Sequence, residues 1–179
     1  EDFLCKEVNR VLENSNVLNV LREGLQFTWG ANIKLCYFKP ASNINPNLEK
    51  LYKSNTLSVI RQVYYSIKKK GEKGKNNSID IVLFINGIPI TTLELKNSLT
   101  GQNINDAIRQ YRYDRRPSGE PLLKPGRALV HMAVDTDEVA MTTKLNNGKT
   151  NFLPFNRGNN GISGNPDIKG EFKIAYLYK

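Results

Sequence analysis

The sequence predicts an α/β domain: a central mixed β-sheet flanked by α-helices. Three observations predict it. Ser78 to Phe84, then Asn86-Gly87, then a run ending Leu93-Glu94-Leu95-Lys96 read as a β-hairpin over 78–96. Residues 97–116 carry the clearest helical period in the chain. Ala128 to Val134 reads as a further strand, so strand, helix and strand follow one another as a crossover unit, which makes the sheet mixed and at least partly helix-covered. At 179 residues the chain is long enough for one domain with a substantial core, and no internal repeat or clean boundary divides residues 1–179.

The elements follow in order. Residues 1–21 look helical, with Leu4, Val8, Val11 and Leu12 near helical spacing. Residues 32–38 alternate and read as a strand ending at Pro40. Residues 41–54 are rich in Asn and Pro and read as a polar loop. A strand over 55–67 follows, with Leu57, Val59, Val63 and Tyr65 on a period of two. Lys68, Lys69, Lys70, Lys73 and Lys75, with Gly71 and Gly74, form a basic loop before the hairpin. In the helix, Asn103 and Asp106 make a variant capping box, and Ile104, Ala107, Ile108 and Tyr111 form a core-facing stripe. Arg109, Arg112 and Arg116 fall on another face, and Pro117 and Gly119 end the helix. After the strand to Val134, Asp135-Thr136-Asp137 is a turn and Val139 to Lys144 a returning strand. Residues 145–170 are mostly loop.

Composition narrows the function. Hydrophobic residues are 39% and charged residues 24%, as in a folded globular domain. Lys+Arg exceed Asp+Glu by 26 to 17, a net charge of +9 that favours a polyanionic partner, nucleic acid first and an anionic membrane surface second. No apolar run approaches the roughly 18 residues of a membrane helix, and no signal peptide is visible. Cys5 and Cys36 are too few for a disulfide framework or a zinc cluster, so reduced cytosolic thiols are expected. The chain opens with Glu1 and stops in a strand-like run, Phe172 to Tyr178, which suggests a piece of a longer protein.

The hairpin carries the chemistry. Asp80 lies inside the apolar run Ile79 to Ile85, the signature of a strand buried on both faces. Leu93 and Leu95 flank Glu94 similarly. A carboxylate there is costly unless paired, so Asp80 and Glu94 need a metal, Lys96 or each other. An acid set against Glu-x-Lys across adjacent strands is the arrangement that metal-dependent DNA-cutting enzymes use. Two carboxylates hold a hard divalent cation through oxygen. Lys96, two residues on, shares the strand face of Glu94 and can offset charge on a phosphate. Register tests the idea. With a simple two-residue turn, Ile85 pairs with Ile88, Asp80 opposes Leu93, and Glu94 falls on the other face. A three-residue loop or one bulge brings Asp80 and Glu94 to the same face, so an irregular hairpin is expected. Gly in the left-handed region and Pro89 both suit one.

Asp80, Glu94 and Lys96 in this strand context resemble the PD-(D/E)xK nuclease superfamily. Longer strings narrow the resemblance: Leu21-Arg22-Glu23-Gly24, Tyr37-Phe38-Lys39-Pro40-Ala41-Ser42, Asn86-Gly87-Ile88-Pro89, Leu93-Glu94-Leu95-Lys96-Asn97, Thr100-Gly101-Gln102, Gln110-Tyr111-Arg112-Tyr113-Asp114-Arg115, His131 to Asp137 and Phe152 to Gly158. Together they resemble the N-terminal nuclease domain of the R subunit of type I restriction–modification enzymes, over nearly the whole chain.

That resemblance implies a PD-(D/E)xK restriction-endonuclease-like fold and cleavage of double-stranded DNA with Mg²⁺, for which Mn²⁺ can substitute. It implies Asp80 and Glu94 as metal ligands, the Leu95 backbone carbonyl completing the site, and Lys96 as the catalytic lysine. It also implies a longer cytoplasmic bacterial or archaeal subunit. An ATP-driven translocase would follow in sequence, and methylation and specificity subunits would be its partners. Two departures stand out. The family carries Gln-x-x-x-Tyr on the helix after the catalytic strand, whereas four residues after Gln110 comes Asp114. Gln110 with Tyr113 is the assignment here. An acid on an early helix is common in the superfamily, and Glu7, Glu13, Glu23 or an upstream residue are its alternatives.

Other features read as structural. His131, the one histidine, sits in an apolar strand with no triad partners. Gly148-Lys149-Thr150 resembles the end of a phosphate-binding loop, but Thr143 stands where its first Gly belongs and Pro154 follows instead of a helix, so ATP binding within this chain is rejected. Lysines 68–75 suit a solvated loop or a DNA backbone contact equally. Arg109, Arg112 and Arg116, beside the catalytic strand in sequence, lean towards phosphate contact. The rival function is a non-catalytic DNA-binding or docking module of the same fold, in which Asp80, Glu94 and Lys96 need not converge. An RNA-directed nuclease is weaker.

Overall fold

The computed structural model describes residues 2–27, 30–42, 44–66, 77–158 and 160–166. Lysines 68–75 and the run Phe172 to Tyr178 lie outside them.

Six strands form one mixed sheet in simple sequence order: β3 (Leu57–Tyr64), β4 (Ser78–Ile85), β5 (Ile88–Leu95), β6 (Val130–Val134), β7 (Val139–Thr142) and β8 (Leu153–Pro154). β5 and β6 are parallel and every other neighbouring pair is antiparallel. The parallel pair is bridged by the helix α4 (Ile104–Tyr113), so the expected crossover is present. The mixed sheet with helices matches the predicted class.

The apolar stripe of α4 does what its spacing dictates. Ile104, Ala107 and Tyr111 are buried against the sheet with Val82, Ala133 and Ala140. Asn103 caps the helix, and the Asp106 carboxylate accepts from the Asn103 N–H at 3.0 Å, closing the capping box. A short 3-10 turn, Ser98–Thr100, precedes it. A second core gathers α1 (Asp2–Asn14) and α2 (Val17–Glu23) around Leu12, Val17, Val20 and Leu21, with Ile88 of the sheet.

Several expected boundaries differ. The helix over 1–21 is two helices, because the Asn16 side chain accepts from the Asn19 N–H and restarts the chain as an N-cap. The strand over 32–38 shrinks to β2 (Asn32–Ile33), paired with β1 (Leu25–Gln26). Side-chain amides take the remaining backbone partners: Asn55 bonds both the N–H and the carbonyl of Tyr37, at 3.1 and 2.6 Å, and Asn86 donates to the Leu35 carbonyl at 2.7 Å. The loop over 41–54 contains a helix, α3 (Pro46–Lys53), with Asn45 as N-cap and Pro46 opening the first turn. The returning strand stops at Thr142, two residues short of Lys144, where the Thr142 hydroxyl donates to the Lys144 carbonyl. Among the described residues no helix is long and apolar enough to cross a membrane.

Candidate functional site

The hairpin supplies the irregularity that register demands. Asn86 and Gly87, both at positive φ (50° and 81°), form a two-residue turn, and Ile85 pairs with Ile88. Taken alone, that turn separates the two acids. One step further the register slips: Phe84 pairs with Pro89 but Leu83 with Thr91. Ile90 is therefore the extra residue of a bulge, placed beside a proline that donates no ladder hydrogen bond. Beyond it Ile81 faces Leu93, and the same register sets Asp80 opposite Glu94 on one face. Left-handed Gly87 belongs to the turn, and the bulge itself contains no glycine.

On that face the two carboxyl groups stand within reach of each other, and each has further partners of its own. Asp80 Oδ2 accepts from the Leu95 N–H at 2.8 Å and Oδ1 from Gln62 Nε2 at 3.0 Å. Gln62 holds this position from a left-handed backbone (φ 52°) in the middle of β3, a costly conformation for a residue with a side chain. Glu94 is wholly buried. Its Oε1 accepts from Arg115 Nε at 2.6 Å, while Oε2 is buried with no hydrogen-bond partner. Burial pushes the Glu94 carboxyl up to about 7, and the neighbouring Asp80 charge raises it while Arg115 pulls it down. Asp80 and Glu94 thus form a close pair of hard oxygen donors.

Lys96 follows β5 directly. Its N–H donates to the Val134 carbonyl at 2.8 Å, and its half-buried side chain lines an open groove of about 660 Å³. Gln102, Asp106, Arg109, Gln110, Tyr113 and Asp114 of the α4 region line the same groove. Gln110 and Tyr113 therefore face it together with Lys96 and Arg109. Arg112 and Arg116 are not among the lining residues: Arg112 donates to the Thr150 carbonyl at 3.0 Å, and the exposed Arg116 donates to the Tyr113 carbonyl at 3.3 Å. Arg112 thereby ties the turn at 146–150 to the helix. Gly148 of that turn lies against the Tyr113 ring, where an added Cβ would come within 3.4 Å. The Gly-Lys-Thr string thus buttresses the helix.

Of the early acids, Glu7 is taken by an ion pair with Arg10 at 2.9 Å. Among the described residues no set of three or more His, Cys, Asp or Glu converges, so Glu7, Glu13 and Glu23 do not join Asp80 and Glu94. Behind the pair, Thr92 Oγ1 bonds both the Tyr111 hydroxyl and His131 Nδ1, each at 2.8 Å. His131 is a buried, hydrogen-bonded strand residue, as expected. Sequence reasoning missed Arg115 and Gln62.

A family model described as the type I restriction enzyme R protein N terminus matches residues 3–150. No curated protein and no solved structure matches the chain.

Proposed function

The chain belongs to the family of type I restriction enzyme R protein N termini, and from that premise we propose that it is a metal-dependent endonuclease domain acting on double-stranded DNA. Residues 1–179 are read as a single nuclease domain of the PD-(D/E)xK type, part of a longer cytoplasmic subunit. That subunit carries an ATP-driven translocase elsewhere and works beside methylation and specificity subunits. The observation that carries the reading is the hairpin bulge, which sets Asp80 opposite Glu94 on one strand face.

The residues fit a hard divalent cation, Mg²⁺ with Mn²⁺ as substitute. The donors are carboxylate oxygens, and the buried Oε2 of Glu94 has no other partner. Asp80 and Glu94 would hold the ion, with the Leu95 carbonyl as a third donor. A cation held there supplies Lewis-acid polarisation of a phosphoryl oxygen and of an attacking water. The chain's own residues do the rest. The Leu95 N–H and Gln62 fix the Asp80 carboxylate, and Arg115 fixes that of Glu94. Lys96 stands in the adjoining groove, where its ammonium offsets charge gathering on the phosphate oxygens. Arg109, Gln110 and Tyr113 line the same groove and hold the DNA backbone without reading its sequence.

One observation favours the docking-module reading: Arg115 by itself supplies Glu94 with an opposite charge, with no need of a metal ion. Isothermal titration of Mn²⁺ into the wild-type chain and into Asp80→Ala separates the two. Heat of binding in the wild type, lost in the variant, is expected. An absence of heat from both, with DNA binding retained, would transfer the assignment to the docking module.

A further inference from the structure

Arg115 is a charged group that takes no direct part in the proposed chemistry, yet it is firmly built into the site. It follows the last turn of α4, where its N–H donates to the Gln110 carbonyl at 2.9 Å. Its side chain runs inward and is 10% exposed. Three contacts fix the guanidinium: Nε on Glu94 Oε1 at 2.6 Å, Nη2 on the Ser78 carbonyl at 2.8 Å, and the face of the buried Tyr65 ring, 6.0 Å from its centroid. An arginine is effectively always charged, and a buried one is tolerated where its donors and charge are matched. Here Glu94 supplies the opposite charge, and Ser78 belongs to the strand that carries Asp80.

Consider the charge of the face. Asp80 and Glu94 alone place two negative charges on adjacent strands, one of them wholly buried. While both are ionised, such an assembly repels itself unless a cation is present. With Arg115 attached to Oε1, the buried carboxylate is compensated while Oε2 stays open. The same guanidinium opposes a second cation arriving at Glu94, because like charges a few ångströms apart repel strongly where little water screens them.

We infer that Arg115 is a built-in counter-cation, which keeps the Asp80–Glu94 pair assembled while it is empty and competes with a divalent cation for Glu94. The competition half of this inference rests on the cation reading above. The compensation half does not. Arg115 is thus a positioning residue acting through Glu94. Its consequence is a site that holds its shape without metal and takes metal weakly.

The test is a set of five proteins, the wild type, Arg115→Met, Arg115→Lys, Glu94→Gln and the double variant of Arg115→Met with Glu94→Gln, melted in EDTA and in Mn²⁺, with Mn²⁺ titrations beside them. In EDTA, Arg115→Met should melt roughly 10 °C below the wild type, because it strands a buried carboxylate. Glu94→Gln in the same chain should return most of that loss. Mn²⁺ should raise the melting temperature of Arg115→Met more than that of the wild type and bind it on the order of tenfold more tightly. Arg115→Lys, which keeps the charge, should respond to Mn²⁺ as the wild type does. If Arg115→Met does not fold in EDTA, its recovery by Glu94→Gln decides the compensation half. An unchanged melting temperature for Arg115→Met, or no recovery in the double variant, overturns the inference. So does a larger Mn²⁺ response in the wild type than in Arg115→Met, which leaves the cation reading standing. No Mn²⁺ response in any of these proteins overturns the cation reading and the competition half with it, and the EDTA melts then decide the compensation half.

Discussion

His131 shows how a single residue is governed by where the strand puts it. It is 1% exposed, with Nδ1 bonded to Thr92 Oγ1 and Nε2 without a hydrogen-bond partner. Burial alone pushes the imidazole down from 6.5 to about 4. The folded state then binds fewer protons than the unfolded state between those values, so this residue's contribution is present above about pH 6.5 and is lost as pH falls towards about 4. A shift of that size is worth roughly 3 kcal/mol. Glu94 acts with the opposite sign. Its carboxyl is raised to about 7, so it costs stability as pH rises from the ordinary carboxylate range towards neutrality. Whole-protein melting therefore mixes two opposed slopes, whereas the imidazole signal reports His131 alone, since the chain has one histidine. Its NMR titration should show a midpoint well below 6.5, and a midpoint at 6.5 would place the ring in water. Residue identity revealed less about Arg115. A helix-end arginine reads as solvated, yet position 115 continues the stripe 104, 107, 108 and 111 by one more step of four. That periodicity was the available signal that it turns inward.

At the scale of elements, the hairpin and α4 were legible because strong local signals agree with the tertiary fold. The run Ile79 to Ile85, the Asn-Gly turn and the stripe of α4 each follow from short-range sterics or a single apolar face. The position of the bulge was not legible. That one was needed follows from parity, but nothing local announces its place between Pro89 and Thr91. α3 is hidden in the sequence because Asn45-Pro46 has the look of loop punctuation while the same pair serves as N-cap and first helical residue. Residues 34–38 do not continue the strand for a long-range reason, the side chains of Asn55 and Asn86, which no local pattern announces. The cap of α4 gives a direct check on this scale. Asn103 accepts from the Asn105 N–H at 2.9 Å, and the Ile104 N–H is satisfied separately by Asp135 at 2.8 Å. Asn103→Ala should therefore cost about 1 kcal/mol and not the whole helix. Denaturant unfolding should show a lower midpoint at unchanged slope. A changed slope would mean that the helix end detaches and the groove residues lose their frame.

For the molecule as a whole, charge and groove have to be argued together. A net charge of +9 draws the chain to any polyanion, so DNA binding that weakens with salt is expected of a nuclease and of a docking module alike. What separates them is how binding and chemistry divide among the groove residues. Arg109 is exposed and lines the groove, as a residue contacting phosphate must. Arg109→Ala should weaken binding about equally for all sequences and reduce the magnitude of the salt slope by about 1, the signature of one lost phosphate contact. Lys96 sits deeper, half-buried at the end of the strand that carries Glu94. If its ammonium works mainly on charge that develops during cleavage, Lys96→Ala abolishes cutting by the assembled enzyme and leaves DNA affinity nearly intact, because an interaction made in the transition state is absent from the ground-state complex. Binding isotherms over a range of salt, beside cleavage by the same variants, read both quantities. If Lys96→Ala loses affinity and salt slope as Arg109→Ala does, the lysine is one more backbone contact. The convergence of Asp80 and Glu94 beside it would then hold the fold together without cutting.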